Sequence, residues 1–162
     1  MSTIELDVHV RTEPDDCPDL SWLGEFRDDW RPGCIDRKPY WSQDAGRYEC
    51  RYWSPGHPYT HHRDWYKRHG YSKHEAHTRA RACVLQDHRR HEDYCRGDWW
   101  VVGLIVSVSL DGHKLGQASI WGVESDCGEE YRDELVADLT ADATAEARKA
   151  LADILAAVGA LP

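Results

Sequence analysis

Two consecutive stretches in the second half of the chain, 99–110 and 113–123, are separated by Asp111 and Gly112, and apolar and polar residues alternate on both sides of that pair, as V-S-V-S-L before it and Q-A-S-I after it. Side chains of a β-strand point alternately to the two faces of its sheet, so this alternation is typical of half-buried strands. Asp and Gly tolerate the positive φ angles that a type I′ turn requires at both central positions. The pattern therefore predicts a β-hairpin over residues 99–123.

A two-residue turn also fixes which residues of the hairpin face each other. Paired side chains share one face of the sheet, and a mostly apolar face is expected to be buried. The predicted buried pairs are Val108 with Leu115, Val106 with Gln117, Leu104 with Ser119, Val102 with Trp121, and Trp100 with Val123. The pattern therefore predicts that Trp100 and Trp121 lie together in the core.

A further alternation near the N-terminus and a helical pattern in the middle of the chain predict two more elements. Residues 4–10 alternate as a strand does and are expected to pair at an edge of the hairpin. Ser72 and Glu75 match a capping box, and Gly97 matches a typical C-terminal cap. These signals predict a helix over residues 73–95.

The last predicted element is a long amphipathic helix. Apolar residues recur at steps of three and four through residues 129–158, and Gly159 follows them. Asp126 is placed to cap the N-terminus of this helix. The stretch Glu124-Ser125-Asp126 is therefore interpreted as a capping segment rather than as an anion or metal site.

Together these elements predict an α+β fold. An antiparallel sheet built on the central β-hairpin (about 99–123) is expected to be packed by two helices (about 73–95 and 129–158). The length suits one domain with a substantial core, so residues 1–162 are predicted to form a single α+β domain.

The segment 11–71 is rich in His, Trp, Tyr, Pro and Gly, and it is expected to be loop-rich. Alternation over residues 47–53 indicates one short strand within it. A long structureless loop is unusual in a compact domain, so further strands are expected in this segment.

The composition narrows the function classes. Asp and Glu total 29 against 20 Lys and Arg, which gives a net charge of −9 with His neutral. Non-specific binding of duplex DNA by the whole surface is therefore not expected.

The chain begins without a signal-peptide pattern and has no bilayer-length apolar run, so a cytoplasmic location without a membrane partner is expected. Six cysteines without a C-x-x-C pair are expected to be reduced.

Basic and aromatic residues are interleaved in the segment 51–81, which holds only two acidic residues. Cations bind phosphates, and aromatic faces stack on unpaired bases. The segment therefore indicates a single-stranded nucleic-acid or nucleotide site, with Arg63, Lys67 and Arg68 as the binding residues.

The aromatic residues of the same region support a second hypothesis. Aromatic side chains dominate the energetics of protein interfaces. Trp53, Trp65 and Tyr66 are therefore candidate anchors for a protein partner. The alternative is structural, with these rings packed inward and the charges balancing acidic parts of the chain.

Metal binding is a third hypothesis. His88, His91 and Cys95 recur at i, i+3 and i+7, so one helix face presents all three. Zinc takes four nitrogen or sulfur ligands and would need a further group, such as Cys127 or His9. The alternative is a solvated helix face, and no cofactor other than this zinc ion is predicted. A looser group of histidines is interpreted as solvated surface: His57, His61, His62, His69, His74 and His77.

The sequence lacks two common motifs of enzyme active sites. The chain has no G-x-S-x-G elbow and no glycine-rich phosphate loop. A non-enzymatic protein is therefore favoured.

The stretch Ser119–Asp126, which contains W-G-V-E-S-D and is followed by Tyr131 and a Leu-rich helix, resembles a family of small uncharacterised phage and prophage proteins. That family has a W-G-[IV]-E-S-D stretch before its C-terminal helix. Other residues resemble the same family: Asp19–Gly24, Arg90, Tyr94, Gly97 and Trp99. The resemblance leaves the His-rich middle of the chain unmatched and brings no catalytic residue.

This resemblance implies an accessory protein made in the cytosol of a bacterial host. The leading functional hypothesis is therefore a non-enzymatic phage-type protein that binds and modulates a host protein, such as a component of a bacterial defence system. Binding of single-stranded nucleic acid through residues 51–81 is the first alternative, and a zinc-dependent protein is the second.

Overall fold

The computed structural model describes residues 5–36, 40–42 and 47–160, with the side chains of 40–42 and 47–49 left aside. These residues group into two compact units. We call Met1–Pro18 with Trp99–Pro162 the sheet unit, and Asp19–Asp98 the histidine-rich unit, since it holds eight of the ten histidines. Within the described ranges, no helix combines the length and the hydropathy needed to cross a bilayer.

The described residues contain strands and helices in an order that confirms the predicted α+β class. The strands are β1 (Asp7–Pro14), β2 (Gly24–Arg27), β3 (Ile35–Asp36), β4 (Tyr40–Ser42), β5 (Arg47–Glu49), β6 (Tyr52–Pro55), β7 (Val101–Leu110) and β8 (His113–Glu124). The helices are α1 (Tyr59–Arg68), α2 (Lys73–Arg96) and α3 (Glu129–Gly159).

The sheet unit is built on the predicted hairpin. Asp111 and Gly112 have φ angles of 49° and 78°, as a type I′ turn requires, and they join β7 to β8. Strand β1 pairs antiparallel with β7, which gives the order β1-β7-β8 and confirms the predicted edge strand. The first predicted residue of that strand, Ile4, lies outside the described residues.

All five predicted buried pairs of the hairpin are wrong, although the two pairs next to the turn, Leu110 with His113 and Ser109 with Lys114, fit the predicted register. Strand β8 carries an extra residue at Leu115 and another where Trp121 and Gly122 oppose Gly103, so these β-bulges shift every pair by one or two positions. The observed pairs are Val108 with Gly116, Val106 with Ala118, Leu104 with Ile120, and Val102 with Val123.

The bulges also explain why Trp100 and Trp121 are not core residues. They are 54% and 47% exposed, respectively. The Trp121 indole lies over Gly103, where an added Cβ would be 2.5 Å from the ring, and therefore on the face opposite the core. Trp100 instead borders a small cavity on the core face of the sheet.

The core of the sheet unit lies between the hairpin and α3. Alternate residues of β7 are fully or nearly fully buried there, together with Leu139, Ala143 and Ala147 of α3. A Cβ at Gly116 would overlap the Ala143 carbonyl, so the glycine lets the helix backbone approach the sheet. Each buried Val or Leu contributes about 1.5–3 kcal/mol.

The predicted cap of α3 is displaced. Gly128, with φ of 89°, is the N-cap in place of Asp126, and no side chain caps this end. Ser125 instead closes the end of the hairpin, because its amide donates to Trp100 O at 2.8 Å and its Oγ accepts from Trp100 N at 3.0 Å. The helix ends at Gly159, as predicted.

The histidine-rich unit contains α2, which begins and ends as predicted. Ser72 Oγ accepts the Glu75 amide at 3.3 Å, while Glu75 Oε2 accepts the Ser72 amide at 3.0 Å, which completes the capping box. Gly97 adopts the left-handed conformation with φ of 78°. The helix packs against α1, β6 and β2.

The described residues of the segment 11–71 contain strands and one helix. Strands β5 and β6 confirm the strand predicted over 47–53, with an interruption at Cys50 and Arg51. Strand β6 lies between β2 and β3 in a small antiparallel sheet. Helix α1 was not predicted, and it carries most of the residues that concern function.

Candidate nucleic-acid interface

Helices α1 and α2 form a helical hairpin joined by residues 69–72. Pro58 is the N-cap residue of α1, and Gly70, with φ of 85°, allows the chain to turn after its last residue. Two polar contacts hold the helices together: the Tyr59 hydroxyl is hydrogen-bonded to His77 Nδ1, and the Tyr66 hydroxyl lies 3.4 Å from Cys83 Sγ. The inner face of α1 is therefore tyrosine-rich rather than aliphatic.

A continuous series of rings runs across the turn of this hairpin. His69 stacks on Trp65, with ring centroids 3.8 Å apart and planes inclined by 20°. Tyr66 packs edge-on against Trp65 at 5.0 Å, and Tyr71 packs edge-on against Tyr66 at 5.3 Å. The Arg79 guanidinium lies 4.6 Å from the centre of the Tyr71 ring. We call these four rings, His69, Trp65, Tyr66 and Tyr71, the aromatic platform.

The platform is fixed on one side and open on the other. Tyr66 is half-buried, and its hydrogen bond to Cys83 is the largest of the effects that raise the pKa of its hydroxyl. Trp65 is 44% exposed, and His69 is exposed as well. The His69 ring is also held by Nδ1, 2.8 Å from the Trp65 carbonyl oxygen. An exposed indole held in this way is suited to stacking on a planar ligand.

The three aromatic residues predicted to anchor a partner do not lie together. Trp53 is completely buried, and its Nε1 donates to His91 Nδ1 at 3.1 Å. Its burial removes it from any binding surface. Trp65 and Tyr66 are neighbours in the platform.

Of the three cations predicted to bind nucleic acid, two pair with a carboxylate and one does not. Arg63 is half-buried and pairs with Asp64 at 2.8 Å, while Lys67 lies 3.9 Å from the same carboxylate. Arg68 donates to the Asp64 carbonyl oxygen at 3.4 Å. In the described part of the chain, neither Arg68 nor Lys73 pairs with a carboxylate.

Arg68 and Lys73 flank the turn that carries the platform. Arg68 ends α1, and Lys73 begins α2. Both side chains are exposed, so their charges are available to an anionic ligand. Lys73 belongs to the predicted basic segment 51–81, but it was not among the three residues predicted to bind, Arg63, Lys67 and Arg68.

Three of the loosely grouped histidines come together at the start of α1. The His57 and His61 rings stack at 5.0 Å, and His62 lies edge-on to both. His62 Nε2 is enclosed and lies 3.8 Å from an Asp87 carboxylate oxygen. Desolvation is the largest effect on each partner, and it lowers the pKa of His62 and raises that of Asp87. His61 and His62 share a cavity of about 300 Å³ with Trp65 and Tyr66.

The predicted zinc ligands have other contacts. His91 is buried and accepts the Trp53 hydrogen bond, His88 Nε2 lies 3.7 Å from Glu92, and Cys95 is exposed. Among residues that the structure describes, no three His, Cys, Asp or Glu side chains are arranged to hold a metal ion.

The two units differ sharply in charge. The histidine-rich unit has 15 Lys and Arg against 13 Asp and Glu, a net charge of +2. The sheet unit has 5 against 16, a net charge of −11. The overall negative charge of the chain therefore belongs to the sheet unit, and it does not describe the surroundings of the platform.

Comparison with known proteins finds no matching family model, no matching curated protein and no matching solved structure. The resemblance to a phage protein family and the hypothesis of a host partner therefore stay predictions. The candidate site rests on the geometry of the helical hairpin itself.

Proposed function

We propose that the helical hairpin of the histidine-rich unit binds single-stranded nucleic acid. The observation that carries the proposal is the exposed stack of Trp65 on His69 at a turn flanked by Arg68 and Lys73. Stacking of a base on an aromatic side chain is worth about 1–3 kcal/mol and tolerates any sequence. Lysine and arginine beside the stack neutralise phosphates and release counterions.

Single strands are favoured over duplexes for two reasons. A ring face can stack only on a base that is free of the duplex stack, and the platform presents ring faces rather than a groove-filling helix surface. The net charge of −11 on the sheet unit disfavours wrapping of an extended polyanion around the whole chain.

The test is the affinity of the full chain for a fluorescent 20-nucleotide single strand, followed by anisotropy at several salt concentrations. Replacing both Arg68→Glu and Lys73→Glu should weaken binding at least tenfold and flatten the salt dependence, because each lost phosphate contact lowers the logarithmic slope by about 0.7. The matched control is Arg148→Glu with Lys149→Glu on the exposed side of α3, which changes the net charge equally. Equal weakening by both pairs, or no binding at 50 mM salt, would reject the proposal.

A second candidate function is binding of a host protein, which the phage resemblance implies, and we place the binding surface on the sheet unit. The observation that favours it is the exposure of three large aromatic residues there: Trp100 at 54%, Trp121 at 47% and Tyr131 at 52%. Such residues anchor protein interfaces, and the acidic surroundings favour a cationic partner.

This second candidate is tested by capture from bacterial lysate on the immobilised chain. A stoichiometric partner that is lost with Trp121→Ala and retained with Trp30→Ala would support it, since Trp30 is 61% exposed but lies in the other unit. Capture that is equal for both variants would place the contact elsewhere and reject this candidate.

A further inference from the structure

Two histidines face the space beside the proposed stacking residue. His61 and His62 line the same cavity as Trp65, and their ring centroids are 5.8 Å apart with planes inclined by 86°. A nucleotide whose base stacks on Trp65 would therefore bring its sugar and phosphate near two imidazoles.

The two imidazoles differ in their surroundings. His62 is half-buried against α2, with Nε2 enclosed beside Asp87, whereas His61 is exposed. Desolvation holds the pKa of His62 below its ordinary value of 6.5, and the nearby His57 and His61 act in the same direction. His62 is therefore neutral at neutral pH. A half-buried neutral imidazole next to an exposed imidazole is a pairing suited to general acid–base chemistry.

We propose that His61 and His62 form a ribonuclease site that cleaves the single-stranded RNA bound by the aromatic platform. The inference rests on the proposed nucleic-acid binding and names its substrate class. RNA is required because its ribose 2′-hydroxyl, which DNA lacks, supplies the nucleophile.

The reaction is an internal transesterification. His62 accepts the proton of the 2′-hydroxyl as the 2′ oxygen forms a bond to the adjacent phosphorus. The bond from phosphorus to the 5′ oxygen breaks, and protonated His61 donates its proton to that oxygen. The products are a 2′,3′-cyclic phosphate and a 5′-hydroxyl, with no change of oxidation state and no further reactant.

The geometry assigns distinct roles to the nearby groups. His62 Nε2 is the buried nitrogen, so Nδ1 is the one that the 2′-hydroxyl would meet. Each imidazole nitrogen must approach its oxygen to about 2.6–3.2 Å, which rings 5.8 Å apart can do when they flank one phosphate. Asp87 is a positioning residue, because its carboxylate lies beside His62 Nε2 and favours a proton on that nitrogen.

The test uses the full chain with a 12-nucleotide unstructured RNA and the DNA of the same sequence, both in EDTA. We expect cleavage of the RNA to products with a 2′,3′-cyclic phosphate, identified by mass, and binding of the DNA without cleavage. His61→Ala should lower the rate by about 10²–10⁴-fold while RNA remains bound. His113→Ala, an exposed histidine of the sheet unit purified in parallel, should cleave as the parent chain does.

The pH profile tests His62 and Asp87 separately from folding. The rising limb of the profile should follow loss of the proton from His62. Asp87→Asn removes a charge that raises the pKa of His62, so this limb should move to lower pH. His62→Gln should abolish the limb, and a circular dichroism spectrum matching the parent chain excludes misfolding.

The outcomes separate this proposal from the one on which it rests. RNA that is bound but uncut would overturn the ribonuclease site and leave nucleic-acid binding standing. RNA that is neither bound nor cut would overturn both proposals. Cleavage that persists in His61→Ala, or that is seen only when EDTA is omitted, would also overturn the two-histidine mechanism.

Discussion

The two units of this chain differ in their buried residues and in their net charge. The sheet unit encloses aliphatic side chains between a hairpin and one long helix, and it carries a net charge of −11. The histidine-rich unit has a net charge of +2, and it buries the Trp53 indole, which is hydrogen-bonded to His91, together with small aliphatic residues such as Ala76 and Ala80. We expect the chemistry in the histidine-rich unit, because eight of the ten histidines lie there.

The largest expected effect tests whether Trp53 organises the histidine-rich unit. Trp53→Ala should lower the free energy of unfolding by about 3–5 kcal/mol, because it removes a fully buried indole and the hydrogen bond to His91. Hydrogen exchange of the β6 and α2 amides measures the loss. Trp30→Ala, at a 61% exposed position, should change stability by less than about 0.5 kcal/mol. Equal exchange in the two variants would show that Trp53 does not organise this unit.

The burial of Trp53 marks the limit of what the sequence could predict. The capping box at Ser72, the left-handed Gly97 and the Asp111-Gly112 turn depend on residues within a few positions of one another, and all three were predicted. The partner of Trp53 is His91, 38 positions later, and no local pattern links the two. An aromatic residue in a basic segment therefore looked like a surface anchor.

Helix α1 was missed for a related reason. Its inward positions include Tyr59, His62 and Tyr66, at i, i+3 and i+7, so the helical spacing is present but is filled by residues not counted as apolar. Pro58 immediately before it is a compatible start signal. A prediction based on this spacing, without regard to hydrophobicity, would have found α1 and placed His57, His61 and His62 at its N-terminal end.

The next prediction concerns the close packing of the sheet unit. Gly116→Ala should destabilise the protein by about 1–3 kcal/mol, because the new methyl group meets the backbone of α3, which cannot move aside without moving the helix. Gly103→Ala is the matched control. The atoms nearest to its methyl group belong to the Trp121 ring, which is half exposed and can rotate away. Chemical denaturation compares the two, and equal losses would mean that helix contact is not what requires Gly116.

The bulges beside these glycines also explain the wrong register. A sequence pattern assigns one residue of a strand to each residue of its partner, whereas β8 inserts Leu115 and one residue of the Trp121-Gly122 pair. The close approach of α3 at Gly116 and the indole over Gly103 are tertiary contacts. The sequence could therefore predict the hairpin but not which side of it each tryptophan would occupy.

An effect of similar size is expected from the platform, in binding rather than in stability. Trp65→Ala should weaken single-strand binding by about 1–3 kcal/mol through loss of base stacking, with little change in the salt dependence. The difference in tryptophan fluorescence quenching between the parent chain and Trp65→Ala gives an independent measurement. Trp30→Ala again serves as the control. A salt slope that falls with Trp65→Ala would indicate that the indole positions the cations instead of stacking on a base.

The smallest expected effect is the pH dependence of stability that His62 contributes. Its folded-state pKa is held below 6.5 by desolvation, so when the pH falls below 6.5 the unfolded chain takes up a proton before the folded chain does. The free energy of unfolding should therefore fall between pH 7.5 and 5.5, and His62→Gln should reduce that fall, whereas His113→Gln should not. Asp87 acts in the opposite sense and at lower pH, because its pKa is raised above 3.8 and the folded state takes up its proton first. If the free energy of unfolding of the parent chain and of His62→Gln fell in parallel down to pH 5.5, His62 would not be desolvated in the folded protein. Solvent would then reach the interior of the helical hairpin.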